Sequence, residues 1–428
     1  MPGSATPTAG TGRAPDALPV SGPAHLLRVA LLMAGSCLPI LGAVLISPVL
    51  PKIEDHFASV AGAEALVPLV LTIPALSLAV LAPFAGLIVD RLGRKRLLVV
   101  ATVLYAVFGT APLWLESLGG ILVSRVLVGV TEAAIMTCCT TLIGDYYSGP
   151  RRDRYLALQT MCASASATAF FVLGGAAGSA GWRVPFWMYA VSLVLAPLMA
   201  VALPRPARRT AEPVPAEAAG AAADAGTAKR SFPWRALATT CALTFFGAMV
   251  FYTVPVEMAF LLDDLGVEET GIIGLATAAA SAATVAGAIV FSRRRSPADP
   301  VLPLVFAVCA VGFGIMFLAG NTLVLVIGAV VNCVGTGFLL PSLLTRAMGR
   351  LDFADRGRGT GLWLAAFFGG EFVCPLVLIA LEGAAGSLAA AVGLLGAASA
   401  VVAVVLLAAG RRSVAAAPPV ADAPATAG

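Results

Sequence analysis

Long apolar segments set the strongest limit on what this chain can fold into. They are runs of mostly aliphatic residues separated by short polar or charged stretches. Because a helix rises about 1.5 Å per residue, about 20 apolar residues cross the hydrocarbon core of a bilayer. The predicted spans are 27–50, 65–89, 97–115, 119–143, 156–179, 183–203, 235–262, 270–292, 301–319, 322–345, 359–381 and 386–409.

The apolar runs are continuous rather than alternating, which argues against a membrane β-barrel. Hydrophobic residues make up 59% of the 428 residues, more than a soluble globular protein requires. The sequence therefore predicts an all-α membrane protein with twelve transmembrane helices, arranged as two six-helix bundles.

A polar segment divides the chain into two similar halves. Residues 204–234 are rich in Pro, Ala and Glu, a composition that suits a disordered cytoplasmic linker. The flanking bundles, 26–203 and 235–410, are nearly equal in length, as two parallel repeats would be. Residues 1–25 lack the apolar core of a signal peptide, so this segment and residues 411–428 are expected to be disordered tails.

Basic residues collect in alternate loops and so predict the orientation in the membrane. The loops with excess positive charge contain Arg91, Arg94, Lys95, Arg96, Arg151, Arg152, Arg154, Arg293, Arg294, Arg295, Arg346, Arg350, Arg356 and Arg358. The opposite loops carry only Lys52 and Arg183, and they are rich in Asp and Glu. We therefore expect a multi-pass protein of a bacterial inner (plasma) membrane with both termini in the cytoplasm.

The turn Gly86–Arg96, GLIVDRLGRKR, lies between the second and third spans and holds one carboxylate and four cations. Each such charge costs roughly 2.5–3.5 kcal/mol in hydrocarbon, which places the turn in water. Gly86 shares a helical face with Asp90 and is expected to admit a close helix neighbour. Gly93 is expected to adopt a positive φ. A generic basic loop remains the simpler interpretation.

The pattern Gly-x-x-x-Asp-Arg-x-Gly-Arg-Lys in this turn resembles the loop between helices 2 and 3 of the major facilitator superfamily of secondary transporters. Three further stretches are similar to the twelve-helix drug:proton antiporters of that superfamily: Ser47-Pro48-Val49-Leu50-Pro51, Arg125-x-x-x-Gly129 and Gly181-Trp182-Arg183. One departure weakens the case for antiport. Phe170-Phe171 stands where those antiporters have a Gly-Pro pair before Gly174-Gly175.

The resemblance implies a cytoplasmic gate built from Gly86, Asp90, Arg91, Gly93 and Arg94. In that family the turn packs under the start of helix 11, which here is Gly359-Thr360-Gly361. The positive end of that helix would favour Asp90. Arg94 is expected to bridge Asp90 and Asp145, although Asp145 could instead be a solvated helix end.

Proton coupling requires a group that changes charge near the middle of the membrane. Glu132 and Glu371 lie near the centres of the fourth and eleventh spans, and Arg125 precedes Glu132 by seven residues on roughly the same helical face. Our hypothesis is that Glu132 with Arg125, or Glu371 alone, exchanges a proton. The alternatives are a structural charge pair and a carboxyl group that is hydrogen-bonded between helices.

A mainly apolar cavity is expected between the bundles, which suits hydrophobic or weakly cationic compounds. The candidate substrate-binding residues are Phe170, Phe171, Tyr252, Glu257, Asn332 and Phe367. Each aromatic residue among them could equally serve packing or contact lipid.

The favoured function is proton-driven efflux of drugs, antibiotics or toxic metabolites by a monomer that works through alternating access. A carrier of an ordinary metabolite, by symport or export, and a non-transporting membrane receptor are the alternatives. The sequence shows no nucleotide-binding loop, no cysteine or histidine metal motif and no nucleophile–base set, so we expect neither an enzyme nor a cofactor. The net charge of +4 is scattered and does not favour nucleic-acid binding.

Overall fold

A computed structural model describes residues 22–205, 234–293, 301–349, 351 and 355–415, and its regular elements are all helical. The helices of the first half are α1 (Pro23–Val44), α2 (Leu50–His56), α3 (Ala63–Leu81), α4 (Ala85–Leu92), α5 (Arg94–Thr110), α6 (Leu118–Tyr146), α7 (Gly149–Gly178) and α8 (Val191–Ala202). Those of the second half are α9 (Trp234–Asp263), α10 (Thr270–Arg293), α11 (Leu302–Phe317), α12 (Thr322–Gly349), α13 (Arg356–Ala385) and α14 (Leu388–Ala415).

Every predicted span coincides with helical structure, which confirms the fold class. Within the described residues, eleven helical segments are long and apolar enough to cross a membrane. The remaining span corresponds to α11, which has 16 residues in the structure. Most of the predicted tails and linker lies outside the described residues.

Within each half of the chain, the helices pack against one another. In the first half, α6 packs against α1, α3 and α5. In the second half, α12 packs against α10 and α11, while α9 packs against α13. The bundles meet where α7 contacts α10 and where α3 contacts α13.

Proline residues explain two differences from the predicted spans. The second span ends at Leu81 and resumes as α4 at Ala85, because Pro83 has no N–H to donate to the helical hydrogen bonds. The first span does not end near residue 50. Helical structure continues through a 3₁₀ turn, Ser47–Val49, into α2, because Pro48 and Pro51 lie in the first turns of their helices, where a missing N–H is tolerated.

Both of the tails that were expected to be disordered are helical in part. The first helix begins at Pro23, and α14 extends to Ala415. The start of α1 is held by His25, whose Nε2 lies 2.9 Å from the hydroxyl of Tyr155 and whose Nδ1 lies 3.3 Å from that of Tyr147.

Glycine residues let the bundles touch at both ends. On the predicted outer side, a Cβ atom on Gly175 of α7 would lie 2.9 Å from Gly274 Cα of α10, and Thr270 Oγ1 donates a hydrogen bond of 3.1 Å to the Gly175 carbonyl. On the predicted cytoplasmic side, a Cβ on Gly361 of α13 would lie 3.1 Å from Pro83 Cα. The bundles are therefore in direct contact at both faces.

Gly129 of α6 offers a test of this packing, because a Cβ there would lie 2.5 Å from the Pro74 carbonyl oxygen of α3. We expect Gly129→Ala to lower the free energy of unfolding by about 1–3 kcal/mol through overpacking. Gly144→Ala in the same helix is the matched control, since its Cβ would meet nothing within 4 Å. Thermal unfolding of the purified protein in detergent measures both, and equal midpoints for the two variants would contradict the packing.

Candidate functional site

A buried arginine lies at the centre of the first bundle. Arg125 of α6 is fully buried, and its Nη2 donates to the Tyr189 hydroxyl at 2.7 Å and to the Gly42 carbonyl of α1 at 3.4 Å. Its guanidinium also lies 5.1 Å from the centroid of the Tyr189 ring. Nε and Nη1 have no hydrogen-bond partner among the described residues. Such a charge is costly inside a membrane and therefore marks a candidate functional site.

Glu132 faces the same part of α1 from about two turns further along α6. It is 2% exposed, and its carboxylate packs against the Cα of Gly42. A Cβ atom on any larger residue at position 42 would overlap this carboxylate. The Tyr105 hydroxyl donates to the Leu38 carbonyl of α1 at 2.6 Å, and the rings of Tyr105 and Tyr189 are 5.1 Å apart. We call Arg125, Glu132, Tyr105 and Tyr189 the α1 polar cluster.

The charge pair that we considered for Arg125 and Glu132 does not form in this conformation. Among the ion pairs within 4 Å in the described part of the chain, none joins these two residues. Arg125 Nη2 instead donates hydrogen bonds to the Tyr189 hydroxyl and to the Gly42 carbonyl of α1. Glu132 Oε1 has no hydrogen-bond partner among the described residues. The two side chains therefore lie in the same site but do not form a direct ion pair.

Residues of the second bundle reach the same place. The Tyr252 hydroxyl of α9 donates to the Ala43 carbonyl at 2.6 Å, directly beside Gly42. Glu371 of α13 is 6% exposed and interacts electrostatically with both Glu132 and Tyr252. The structure thus brings Arg125, Glu132, Tyr252 and Glu371 together from opposite halves of the chain.

Three other expected substrate contacts are not part of this set of polar residues. Phe171 is buried in a small core with Val44 and Ala278, where Gly274 brings α10 against its backbone. Asn332 is buried between α12 and α11, and its Nδ2 donates to the Cys309 carbonyl at 3.4 Å, because Gly312 lets the two helices approach closely. Glu257 lies in a cleft on the predicted outer side.

Two aromatic candidates remain near the bundle interface. Phe367 of α13 is half-buried, stacks on Trp363 with ring centroids 5.8 Å apart and lies 6.1 Å from Phe251. Phe170 is half-buried beside the core that contains Phe171. Phe367 is therefore placed beside α9, the helix that carries Tyr252.

The charged turn contains the contacts that the sequence suggested for Arg94. Its Nη2 lies 2.8 Å from Asp90 Oδ1, and its Nη1 pairs with Asp145 Oδ1 at the end of α6. Gly93 has a φ of +85°, which favours glycine. Because the Asp90 side chain is 63% exposed, its pair with Arg94 contributes at most about 1 kcal/mol and can break readily.

The expected helix approach at Gly86 is wrong for this conformation, because a Cβ there would meet nothing within 4 Å. The close approach is made by Pro83 and Gly361 instead. Arg91 is exposed on α4. The start of α13 therefore packs near the turn, but against Pro83 rather than Gly86.

Tyr105 and Tyr189 escaped the sequence analysis. A signal was present, since an arginine within an apolar span needs buried hydrogen-bond acceptors, and tyrosine hydroxyls are among the groups that can supply them. The sequence did not show which of the tyrosines would reach Arg125.

Two apolar helical bundles that meet around buried charges define a multi-pass membrane protein. The family model described as Major Facilitator Superfamily matches residues 32–296, more than half of the chain. The chain belongs to this superfamily, whose members bind small-molecule substrates and often couple their transport to protons.

The curated relatives match only in part. Multidrug resistance protein 1 of Bacillus subtilis (strain 168) is 27% identical over 195 residues, 44% of this chain and 47% of the relative. Tetracycline resistance protein, class C, of Escherichia coli is 31% identical over 161 residues, 35% of this chain and 38% of the relative. The chain thus matches less than half the length of these relatives.

Solved structures match almost end to end at low identity, which shows the fold alone. A D-xylose-proton symporter superposes with a TM-score of 0.77 at 13% identity, covering 89% of this chain and 97% of the other. A bacterial homolog to the human lysosomal transporter Spinster, inward-facing and unoccupied, gives 0.68 at 18% identity, with 91% and 96% coverage.

The bond between Arg125 and Tyr189 gives a second prediction. We expect Tyr189→Phe to destabilise the protein by about 1.5–3 kcal/mol, because it removes a hydrogen bond to a buried charge. The matched control is Tyr146→Phe, which removes the neutral bond to the Pro204 carbonyl (2.6 Å) and should cost about 0.5–1.5 kcal/mol. Thermal unfolding in detergent compares them, and a larger loss for the control would count against the charged bond.

Proposed function

We propose that the protein exports small hydrophobic or weakly cationic compounds, such as drugs, antibiotics or toxic metabolites, in exchange for protons. The observation that carries the proposal is the convergence of Glu132 and Glu371, one from each bundle, beside Arg125 and Tyr252. The partial similarity to multidrug and tetracycline resistance proteins supports export in particular.

The proposed coupling follows from charge repulsion. Two carboxylates that interact in a low-dielectric site favour a state in which one of them holds a proton. Because Glu132 and Glu371 belong to opposite bundles, a rocking motion of the bundles changes their separation and therefore the free energy of holding that proton. Arg125 would stabilise ionised Glu132 once the proton leaves.

The proposed gate is the turn between α4 and α5. Asp90, Arg94 and Asp145 tie α4, α5 and α6 together at one face, where Pro83 also packs on Gly361 of α13. These contacts would hold that face closed, and their low individual energy suits a contact that breaks in each transport cycle. Gly93 would allow the sharp turn, and Arg91 would lie in the headgroup region.

Our proposal also covers orientation and assembly. We propose an inner-membrane protein with both termini and the linker 204–234 in the cytoplasm, bundles over 26–203 and 235–410, and a monomeric working unit without enzymatic activity. The placement of basic residues supports this orientation.

A carrier for an ordinary metabolite is the second candidate. The observation that favours it is Phe170-Phe171 at the position where the antiporters that this chain resembles have a Gly-Pro pair. A sugar substrate is less suited to the site, because the central groups are charged or aromatic and Asn332 is engaged between α11 and α12.

Coupling is tested in inside-out vesicles with ethidium and tetracycline as substrates. We expect substrate-driven proton movement that a protonophore abolishes, and a loss of about tenfold or more of that movement in Glu132→Gln or Glu371→Gln, in line with the loss of a proton-transfer group. Glu116→Gln, an exposed loop residue, is the control and should behave as wild type. Unchanged coupling in both test variants would remove the coupling proposal.

The gate is tested by Asp90→Asn and Asp145→Asn. We expect transport to fall about tenfold or more while membrane insertion remains normal, because each change removes a charge that Arg94 pairs with. Asp153→Asn is the matched control. The Asp153 side chain is exposed, and its ion pair with neighbouring Arg152 is long at 4.0 Å and therefore weak. Full transport by both gate variants would show that these contacts do not control access.

A further inference from the structure

An acidic cleft of about 240 Å³ opens between the two bundles on the predicted outer side. The first bundle contributes the carboxyl groups of Glu54, Asp55 and Glu64. The second bundle contributes four more, from Glu257, Asp263, Asp264 and Glu382. This set, which we call the acidic cleft, therefore combines negative charge from both halves of the protein.

Basic residues of the protein do not neutralise this charge. Across the described residues, the ion pairs within 4 Å include none of the seven acids. Of the two basic residues predicted for this face, Lys52 donates to the Gly178 carbonyl at 3.4 Å, and Arg183 donates to the carbonyls of Pro112 and Leu115 at 3.3 Å. Both point at backbone oxygens outside the cleft.

The buried side chain of Glu257 is an independent indication that a ligand binds in the acidic cleft. It is only 3% exposed, it lines the cleft, and its Oε1 has no hydrogen-bond partner in the part of the chain that the structure describes. It also interacts electrostatically with Glu54 and Glu382, which are of the same charge. A buried carboxylate without a donor is expensive, and an incoming cationic donor would remove that cost.

The rest of the lining is apolar. Phe260, Ile379 and Leu388 face the same cleft, and the ring of Phe260 can attract a cation over its face. No group of three or more acidic, cysteine or histidine side chains in the described ranges has the geometry to hold a metal ion. The lining thus suits a ligand that carries alkyl carbon beside its positive charge.

We propose that the acidic cleft binds an alkyl polyammonium ion, whose charges contact carboxylates of both bundles and whose alkyl carbons pack on Phe260, Ile379 and Leu388. Because the ligand joins the halves, it stabilises the conformation in which this face is closed. Binding does not depend on the proposed efflux or on the orientation in the membrane, since the site belongs to the folded chain alone.

The test uses the full chain in nanodiscs of neutral phosphatidylcholine, titrated with spermidine at low ionic strength in a calorimeter. We expect saturable binding that weakens with added salt, since screening reduces charge attraction. Glu257→Gln should weaken binding about tenfold, which corresponds to about 1.4 kcal/mol. Glu116→Gln removes the same charge outside the cleft and should bind as wild type.

Three results would overturn the proposal. They are the absence of saturable binding, unchanged affinity in a folded Glu257→Gln protein, and displacement of spermidine by an equal concentration of Mg²⁺, which would indicate a metal site. If Glu257→Gln does not fold, exposed Glu64→Gln replaces it, with an expected loss of about threefold, or roughly 0.65 kcal/mol. Unchanged affinity in that variant also overturns the proposal.

Discussion

The structure depends on how it accommodates one fully buried guanidinium. Arg125 lies inside an apolar bundle, where an isolated charge costs several kcal/mol, and it is held by Tyr189 and the Gly42 carbonyl. These contacts require α1, α6 and the segment before α8 to meet closely. Gly42 makes this possible, because any side chain at that position would displace Glu132.

The first helix is consequently shared by both bundles. Its Gly42–Ala43 segment meets Glu132 from α6 and the Tyr252 hydroxyl from α9. Just beyond it, the Ser47 hydroxyl donates to the Pro255 carbonyl of α9. A displacement of the bundles must therefore change the contacts of α1, which links the buried charges to any opening and closing of the protein.

Sequence patterns predicted the helices well and the contacts between them poorly. The spans were predictable because each is set by local hydropathy, whereas the close approach of Pro83 to Gly361 of α13 joins residues far apart in the chain. Arg125, Glu132 and Glu371 stood out because charge is rare in apolar runs. Tyr105 and Tyr189 did not stand out, because a tyrosine in a helix is equally suited to packing.

The sequence by itself determined the membrane environment, the number and order of the predicted spans, the predicted orientation and the short-range geometry of the turn at Gly93. These follow from hydropathy, loop charge and backbone sterics, which act over neighbouring residues. Only the tertiary structure decided that Glu132 and Glu371 converge, that Asn332 bonds to the Cys309 carbonyl while Phe171 packs with Val44 and Ala278, and that seven outer acids share one cleft. Helix rotation and glycine-mediated approach fix those contacts, and both depend on residues far apart in the chain.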